Sequence, residues 1–374
     1  MKAAPLLALL AALGCARPAP PPIVPFPIVL IGGTPTVRPL VQLVIQVPAA
    51  RPIRVCAGGD VMLGSDLDTS WAARRGVPAL PDPLELVAPL RSLAADADIV
   101  LLNVEGAIGS GPAPAKCRAG STTCYAFRQP PPAAAALRSV TQAGAVVGNV
   151  ANNHAMDAGP DGFAETVRHL ARAGVFATGH DTIATVVPLP GGDTVAFLGF
   201  STFQAGPSAR DLAAVRRHVE RAAARWPTVV TVHNGAEGVG AQRTRDETER
   251  FLGEDRGNPV AFARVATEAG AIAVFGHGPH VLRAAAWMHD RPVFYSLGNF
   301  LTYGPFSLGE PRNRGGFACV VFDRRGVIYG ADFRSTRQLP PGRVGRDPDH
   351  RAVAIIDSLT QLDFRDAAIR LLQR

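Results

Sequence analysis

The sequence predicts an α/β layered domain with mixed strand order, and three observations predict it. Short apolar runs alternate with amphipathic helical stretches from Ile53 to Phe275. Most of those runs stop at Gly, Asn or Pro beside an acidic, amide or imidazole residue, which is how an α/β sheet presents side chains beyond its strand ends. After His280 the texture changes to strands with few helices between them, so the last strands lack crossover helices and the sheet order must be mixed.

Taken in order, Ile53 to Ala57 reads as a strand and Pro83 to Ala97 as an amphipathic helix. Ile99 to Val104 is a continuous apolar strand, followed by a cysteine-bearing loop, a helix from Pro132 to Ala143 and a strand from Ala145 to Val150. Pro160 opens a helix to about Ala173, because proline is tolerated in a first turn. Val195 to Phe200 is a strand, Ala209 to Arg225 a helix, and Val229 to Val232 a strand ending at His233. A polar loop, Asn234 to Asn258, precedes a helix from Val260 to Ala269 and a strand from Ile272 to Phe275. Val281 to Ala286, Val293 to Leu297, Phe317 to Phe322 and Val327 to Phe333 read as strands, and the stretch from Arg351 as one or two short helices.

The N-terminus reads as an export signal. Lys2 precedes an apolar run, Leu6 to Leu13, too short to span a bilayer. Leu10-Ala-Ala-Leu-Gly-Cys15 resembles a lipobox, in which the cysteine is acylated after cleavage; the other reading is an ordinary secretory signal cleaved nearby. Pro18 to Pro27 is a stiff proline-rich spacer, so residues 16–50 fit a tether. Val41 to Val47 has strand character without a place in the fold. The expected division is therefore 1–15 signal, 16–50 tether, 51–335 folded domain and 336–374 a tail with short helices.

Composition bounds the partners. Of 374 residues, 47% are hydrophobic, enough to bury a large core. The net charge of +7 is carried by scattered arginines, and Lys2 and Lys116 are the only lysines. No dense basic run with interleaved aromatics exists, which argues against nucleic acid and leaves an anionic substrate or surface as the functional meaning of the excess. Cys117 and Cys124 lie close together in a Gly/Pro/Ser-rich loop, and a short-loop disulfide suits an exported protein. Cys56 and Cys319 lie in apolar strand-like runs and read as small buried hydrophobes.

Five stretches carry chemistry. Asp60 follows Gly58-Gly59 at a strand end. Glu105 follows the most apolar strand, with Asn103 on its side, and a buried carboxylate there must be paired or metal-bound. Asn152-Asn153-His154 ends a strand, with Asp157 spaced to hold the imidazole for general-acid work. His233 ends a strand, with Glu237 four residues on, and His277-Gly-Pro-His280 places two imidazoles beyond another. Ser296 and Asn299, in Tyr295-Ser-Leu-Gly-Asn299, are candidates to bind substrate, to orient ligands or simply to close a turn.

Together, Gly59-Asp-Val-Met-Leu-Gly64, Asn103-Val-Glu105, Ala151-Asn-Asn-His154 with Asp157-Ala-Gly159, Gly276-His-Gly-Pro-His280 and Tyr295-Ser-Leu-Gly-Asn-Phe300 resemble the bacterial CapA family of capsule, or poly-γ-glutamate, synthesis proteins. The resemblance covers roughly residues 53–302, and that family is similar to the calcineurin-like metallophosphatases. It implies a two-sheet αββα sandwich with one or two divalent ions, Mn, Fe, Zn or Mg. Asp60 and His280 would bind one ion, Glu105 would bridge, and Asn153, His233 and His277 would complete the second site. His154 would protonate a leaving group while Asp157 holds it. Arg128, Asn152, Glu237, Ser296 and Asn299 would meet substrate. The implied function is an exported protein acting on an anionic envelope polymer, anchored to the membrane by lipid and associated with a membrane polymer synthase. The alternatives are a non-catalytic accessory subunit of such a synthase and a general metal-dependent phosphodiesterase or nucleotidase.

The sequence departs from these patterns in places. Met62 stands where metallophosphatases carry a histidine ligand. Asn234-Gly235 stands for Trp-Gly, Gly238 for an aromatic, and Gly278 for a histidine common in the family.

Overall fold

The structure is a computed structural model and describes residues 51–67, 80–118, 124–304, 306–367 and the backbone of 372–373. The expected signal, Cys15, the tether and the Val41 to Val47 run lie outside the described residues.

Two sheets form the centre. The larger has nine strands: β1 (Ile53–Met62), β2 (Ile99–Val104), β5 (Ala145–Asn149), β6 (Val175–Thr178), β15 (Asn299–Thr302), β16 (Arg314–Phe322), β17 (Ile328–Leu339), β18 (Arg343–Arg346) and β19 (Leu372–Gln373). Its main order is β18-β17-β16-β1-β2-β5-β6, parallel from β1 to β6 and antiparallel from β1 to β18. The smaller has six: β7 (Thr185–Pro188), β8 (Thr194–Ser201), β9 (Thr228–His233), β12 (Ala271–His277), β13 (Ala285–Met288) and β14 (Arg291–Phe294), ordered β13-β14-β12-β9-β8-β7. Two short ribbons, β3 (Ala107–Ile108) with β4 (Arg128–Gln129) and β10 (Arg250–Phe251) with β11 (Glu254–Asp255), stand apart. Among the described residues the α-helices are α1 (Pro83–Val87), α2 (Pro132–Arg138), α3 (Gly159–Arg172), α4 (Leu212–Ala223), α5 (Pro259–Glu268) and α6 (Arg351–Asp363).

Strand periodicity makes the layers. Alternate side chains of a strand face opposite ways. Val55, Ile99, Leu101 and Val147 of the larger sheet meet Val195, Phe197, Val229, Ala273 and Phe275 of the smaller in one buried cluster. The intervening residues Cys56, Val100, Leu102 and Val146 pack on Leu86, Val87, Leu137 and Leu170 of α1, α2 and α3. Leu198, Val230, Val232 and Val274 pack on Val215, Val219, Phe262 and Ala266 of α4 and α5. Helices, sheet, sheet, helices is the αββα sandwich that the resemblance implied. Side-chain caps start α4 and α5: Asp211 accepts from the Ala214 amide at 2.9 Å, and Asn258 from Val260 and Ala261 at 3.0 and 2.9 Å.

Several sequence expectations change. Cys56 and Cys319 form a disulfide rather than standing as separate hydrophobes, because β1 and β16 place them directly opposite each other. The Pro83 to Ala97 helix breaks after Val87 into a 3₁₀ turn, Ala88–Ser92, with Pro89 inside it. Val281 to Ala286 is loop up to β13, and Leu282 makes only an isolated bridge to Leu297. The 335/336 boundary falls inside β17, and α6 is no tail: Ala352, Val353 and Ile356 complete the inter-sheet cluster. Strands β6, β7, β15 and β18 went unread, each being four residues long.

Phe197 is fully buried between the sheets. Its replacement by alanine should destabilise the domain by about 3–5 kcal/mol through lost transfer energy and a residual cavity. Chemical denaturation of the two proteins measures the difference.

Candidate metal centre

The same periodicity that fills the core aims the candidate ligands. On β2, Ile99 and Leu101 face the smaller sheet, so Asn103 does too. On β5, Val147 faces inward, and Asn149 follows it. On β9 and β12, Val229 and Phe275 lead to His233 and His277, which are register partners. On β1 the phase is reset. Pairing is irregular between Ala57 and Asp60, after which Val61 and Leu63 join the helix-side cluster and Asp60 takes the inward face. Gly59 permits this: an added Cβ would lie 2.0 Å from the Gly298 carbonyl oxygen, while the Asp60 amide donates to that oxygen at 3.0 Å.

The inward polar groups meet at one end of the interface. Asn149 Nδ2 donates to Asn103 Oδ1 at 2.9 Å. Asn103 Nδ2 donates to Asp60 Oδ1 at 2.8 Å and lies 3.1 Å from His233 Nδ1. His277 Nδ1 is 3.6 Å from Asp60 Oδ1. His280 Nδ1 lies 3.0 Å from Asp60 Oδ2 and 3.1 Å from Asn299 Oδ1. Its Nε2 is 3.5 Å from Glu105 Oε1, which is also 4.0 Å from His233 Nε2. His280 holds this position in a left-handed backbone conformation, φ 57°.

Burial and neighbouring charges pull on the groups of this pocket in opposite directions. Burial works against the Asp60 charge, but the His280 hydrogen bond and cation hold its carboxyl well below the usual range. Burial drives Glu105 well above its ordinary value; the His280 cation opposes this and the Asp60 charge adds to it. Burial opposes the His280 cation too, yet Glu105 and Asp60 carry it well above its usual value. Burial pushes His233 well down and His277 to about 4. Both therefore offer neutral imidazoles near pH 7.

The donor set fits a divalent ion. Ligand atoms of Asp60, Glu105 and His280 all lie within 4.8 Å of one another. Glu105 Oε1, Asn153 Oδ1, His233 Nε2 and both ring nitrogens of His277 are buried without a hydrogen-bond partner. Each such atom costs roughly 1–3 kcal/mol. Carboxylate, amide oxygen and imidazole together suit a borderline metal. Met62 takes no part, since its sulfur accepts from the Gly64 amide at 3.0 Å.

Beside this cluster stands a His–Asp pair. His154 Nδ1 is 2.6 Å from Asp157 Oδ2, which also accepts the Phe127 amide at 2.7 Å. Lys116 Nζ donates to the other carboxylate oxygen. The Phe127 ring lies on the imidazole, with centroids 4.2 Å apart. Burial lowers the His154 pKa against the upward pull of Asp157.

The residues expected to meet substrate are mostly occupied. Asn152 donates to the Val104 carbonyl at 2.8 Å and accepts from the His154 amide at 3.1 Å, so it shapes the turn that carries Asn153 and His154. Ser296 Oγ accepts from the Gly298 amide at 3.2 Å. Arg128 gives its guanidinium to Asp66, at 2.8 and 3.0 Å, and to the Gly111 carbonyl. Asn299 orients His280. Glu237 Oε2 is 3.8 Å from His280 Nε2, while its other oxygen is held by Arg256. Arg256 in turn lies over Phe203, which meets His233 edge-on. Sequence reasoning missed Arg256, Phe203, Phe127 and Lys116. Only Lys116 left a signal, as one of two lysines in the chain. Cys117 and Cys124 are bonded.

The family model for the bacterial capsule synthesis protein PGA_cap matches residues 54–303, which span this entire cluster. The chain belongs to the PGA_cap family. Among its relatives is the capsule biosynthesis protein CapA of Bacillus anthracis, 29% identical over 185 residues, covering 44% of this chain and 42% of that protein. The uncharacterized protein y4sH of Sinorhizobium fredii (strain NBRC 101917 / NGR234) is 58% identical over 40 residues, 11% of this chain and 9% of that protein. The match thus spans less than half the length of either relative. Among solved structures, a 5'-nucleotidase precursor from Thermus thermophilus superposes with TM-score 0.42 at 13% identity, covering 83% of this chain and 59% of that one. GAP50 of Plasmodium gives 0.39 at 7%, covering 82% and 96%. This PGA_cap protein therefore carries its family match and its ligand cluster on the same residues.

The His277 shift has a stability consequence. The unfolded chain gains a proton on this imidazole below its ordinary 6.5, and the folded chain only below about 4. The unfolded state binds more protons between those values, so stability present above pH 6.5 is lost as pH falls toward 4. In metal-free protein, wild type should lose about 3 kcal/mol over that window relative to His277→Gln. Urea midpoints of both proteins at several pH values check it.

Proposed function

We propose that this protein is an exported, lipid-anchored member of its family whose divalent-metal site acts hydrolytically on an anionic envelope polymer of the poly-γ-glutamate type, in its synthesis, anchoring or trimming. The reading rests on one observation above the rest: buried ligand atoms of Glu105, Asn153, His233 and His277 that make no hydrogen bond stand beside an imidazole braced for proton transfer. Family membership and the name of the Bacillus anthracis relative support the capsule polymer as substrate. Two disulfides and the lipobox-like Leu10 to Cys15 support export.

In this reading Asp60, Glu105 and His280 hold one ion, and Asn153, His233 and His277 hold a second, with Glu105 shared. Bound there, the ions would lower the pKa of water and neutralise charge developing on the attacked centre. The chain's own residues do the rest. Asn299 and Asp60 share His280 Nδ1 and fix the ring. Asp157 fixes the His154 ring through Nδ1, so that Nε2 delivers its proton to the leaving group. Glu237 and Arg256 form the charged wall next to His280.

One observation favours a second reading. The Met62 sulfur is bonded to backbone and offers no ligand, which leaves the first position with three protein groups. A non-catalytic accessory subunit of a membrane polymer synthase would keep such a site for polymer binding.

Purified protein should contain stoichiometric divalent metal that His277→Ala lacks; equal, negligible metal in both would reject the site. With Mn²⁺ present, a panel of γ-glutamyl oligomers and phosphoesters should include a substrate whose kcat falls roughly 10²- to 10⁴-fold in His154→Ala. No turnover across the panel would favour the accessory reading. Labelled fatty acid should be incorporated by the wild type and not by Cys15→Ser, which membrane fractionation would confirm as a loss of anchoring.

A further inference from the structure

Building on the reading of His154 as the proton donor, we propose that Lys116 is a positioning residue for the His154–Asp157 pair, and that the Cys117–Cys124 disulfide clasps the segment presenting it. Asp157 is almost wholly buried, and each of its oxygens has its own task. Oδ2 takes His154 Nδ1 at 2.6 Å and the Phe127 amide at 2.7 Å, and Oδ1 takes Lys116 Nζ. A carboxylate held on one oxygen alone can rotate about its Cβ–Cγ bond. The ammonium on the second oxygen fixes the plane, and with it the direction of the His154 ring.

The two outside supports come from one segment. Lys116 immediately precedes Cys117, and Phe127 lies three residues after Cys124. The crosslink therefore ties the lysine on Oδ1 to the amide on Oδ2 and to the ring that lies on His154 at 4.2 Å. Other neighbours support the same side of the pocket. Phe306 packs edge-on to Phe127 at 5.6 Å. Lys116 itself has a side chain 35% exposed, and among the described residues Asp157 is its only ion-pair partner. That is the placement of a residue kept for one contact rather than for the core.

The proton-transfer step starts from His154 with hydrogens on both ring nitrogens: the Nε2–H bond breaks as the hydrogen joins the leaving-group atom, whose bond to the attacked centre breaks while the oxygen of water takes its place there. The Nδ1 hydrogen stays on the bond to Asp157, and Lys116 keeps its proton throughout. Lys116 touches no reacting atom; it decides where Nε2 points.

The test uses the full-length protein. In Zn²⁺-loaded protein with ¹⁵N-labelled histidine, the His154 Nδ1–H should give a far-downfield proton resonance, assigned by its absence in His154→Ala. It should be lost to exchange in Lys116→Met and in Cys117→Ser/Cys124→Ser, and return in Lys116→Arg. A resonance unchanged in Lys116→Met overturns the role of the lysine, and one unchanged in the double serine variant overturns the clasp. In Mn²⁺-loaded protein, Lys116→Met should lower kcat on methyl phenyl phosphate by about 10- to 100-fold at constant KM. Methyl 4-nitrophenyl phosphate should be spared, because its leaving group needs no proton. Equal losses on both esters count against the proposal. A wild type that hydrolyses neither ester speaks against phosphodiesterase activity and not against action on a γ-glutamyl polymer, and the resonance still decides for Lys116.

Discussion

Two carboxylates, Asp60 and Glu105, lie buried at the seam of two sheets with one imidazole, His280, between them. The arrangement around them follows from the need to partner those buried groups. Asp60 and Glu105 are buried, so each needs a partner, and His280, in a left-handed backbone conformation, faces both. Asn103 and Asn149 add dipoles rather than charge. His233 and His277 stay neutral under burial. The pocket thus gathers lone pairs of Glu105, Asn153, His233 and His277 that make no hydrogen bond within the described residues.

The sandwich explains why the pocket can exist at all. Parallel strands from both sheets end on the same side, and the inward rows change from Val, Leu and Phe to Asn and His at their last inward positions. The larger sheet supplies Asp60, Asn103, Asn149 and Asn299, and the smaller supplies His233 and His277. Neither half would bury its polar ends without the other, so the geometry of the site is set by how the two sheets face each other. The loops need only add Glu105, Asn153 and His280.

Much of this was visible in the sequence because it is local. An apolar run that ends in Asn or His fixes which way that residue points, as for Asn103, His233 and His277, whereas Asp60 was legible only as a carboxylate after Gly58-Gly59 and its inward face comes from the irregular pairing of β1. What could not be read depends on contacts between distant segments. The Asn149–Asn103–Asp60 chain joins three strands. Arg256 sits in a loop whose composition is merely polar, and its meaning comes from Phe203 and Glu237. Cys56 and Cys319 are 263 residues apart, and only the antiparallel register of β16 on β1 makes them neighbours. The four-residue strands carry too little periodicity to stand out. The resemblance put Arg128 at the substrate, but Asp66, which occupies it, lies 62 residues away in the sequence.

The family match ends at residue 303, whereas the folded unit does not. Strand β16 lies directly beside β1, the strand that carries Asp60, and α6 pushes Ala352, Val353 and Ile356 between the sheets. A shortened version ending where the recognisable motifs end would keep every candidate ligand and strip the wall behind them. Evolutionary recognisability and mechanical integrity have different borders in this molecule. The unremarked closing stretch is what keeps the recognised part from opening at its back.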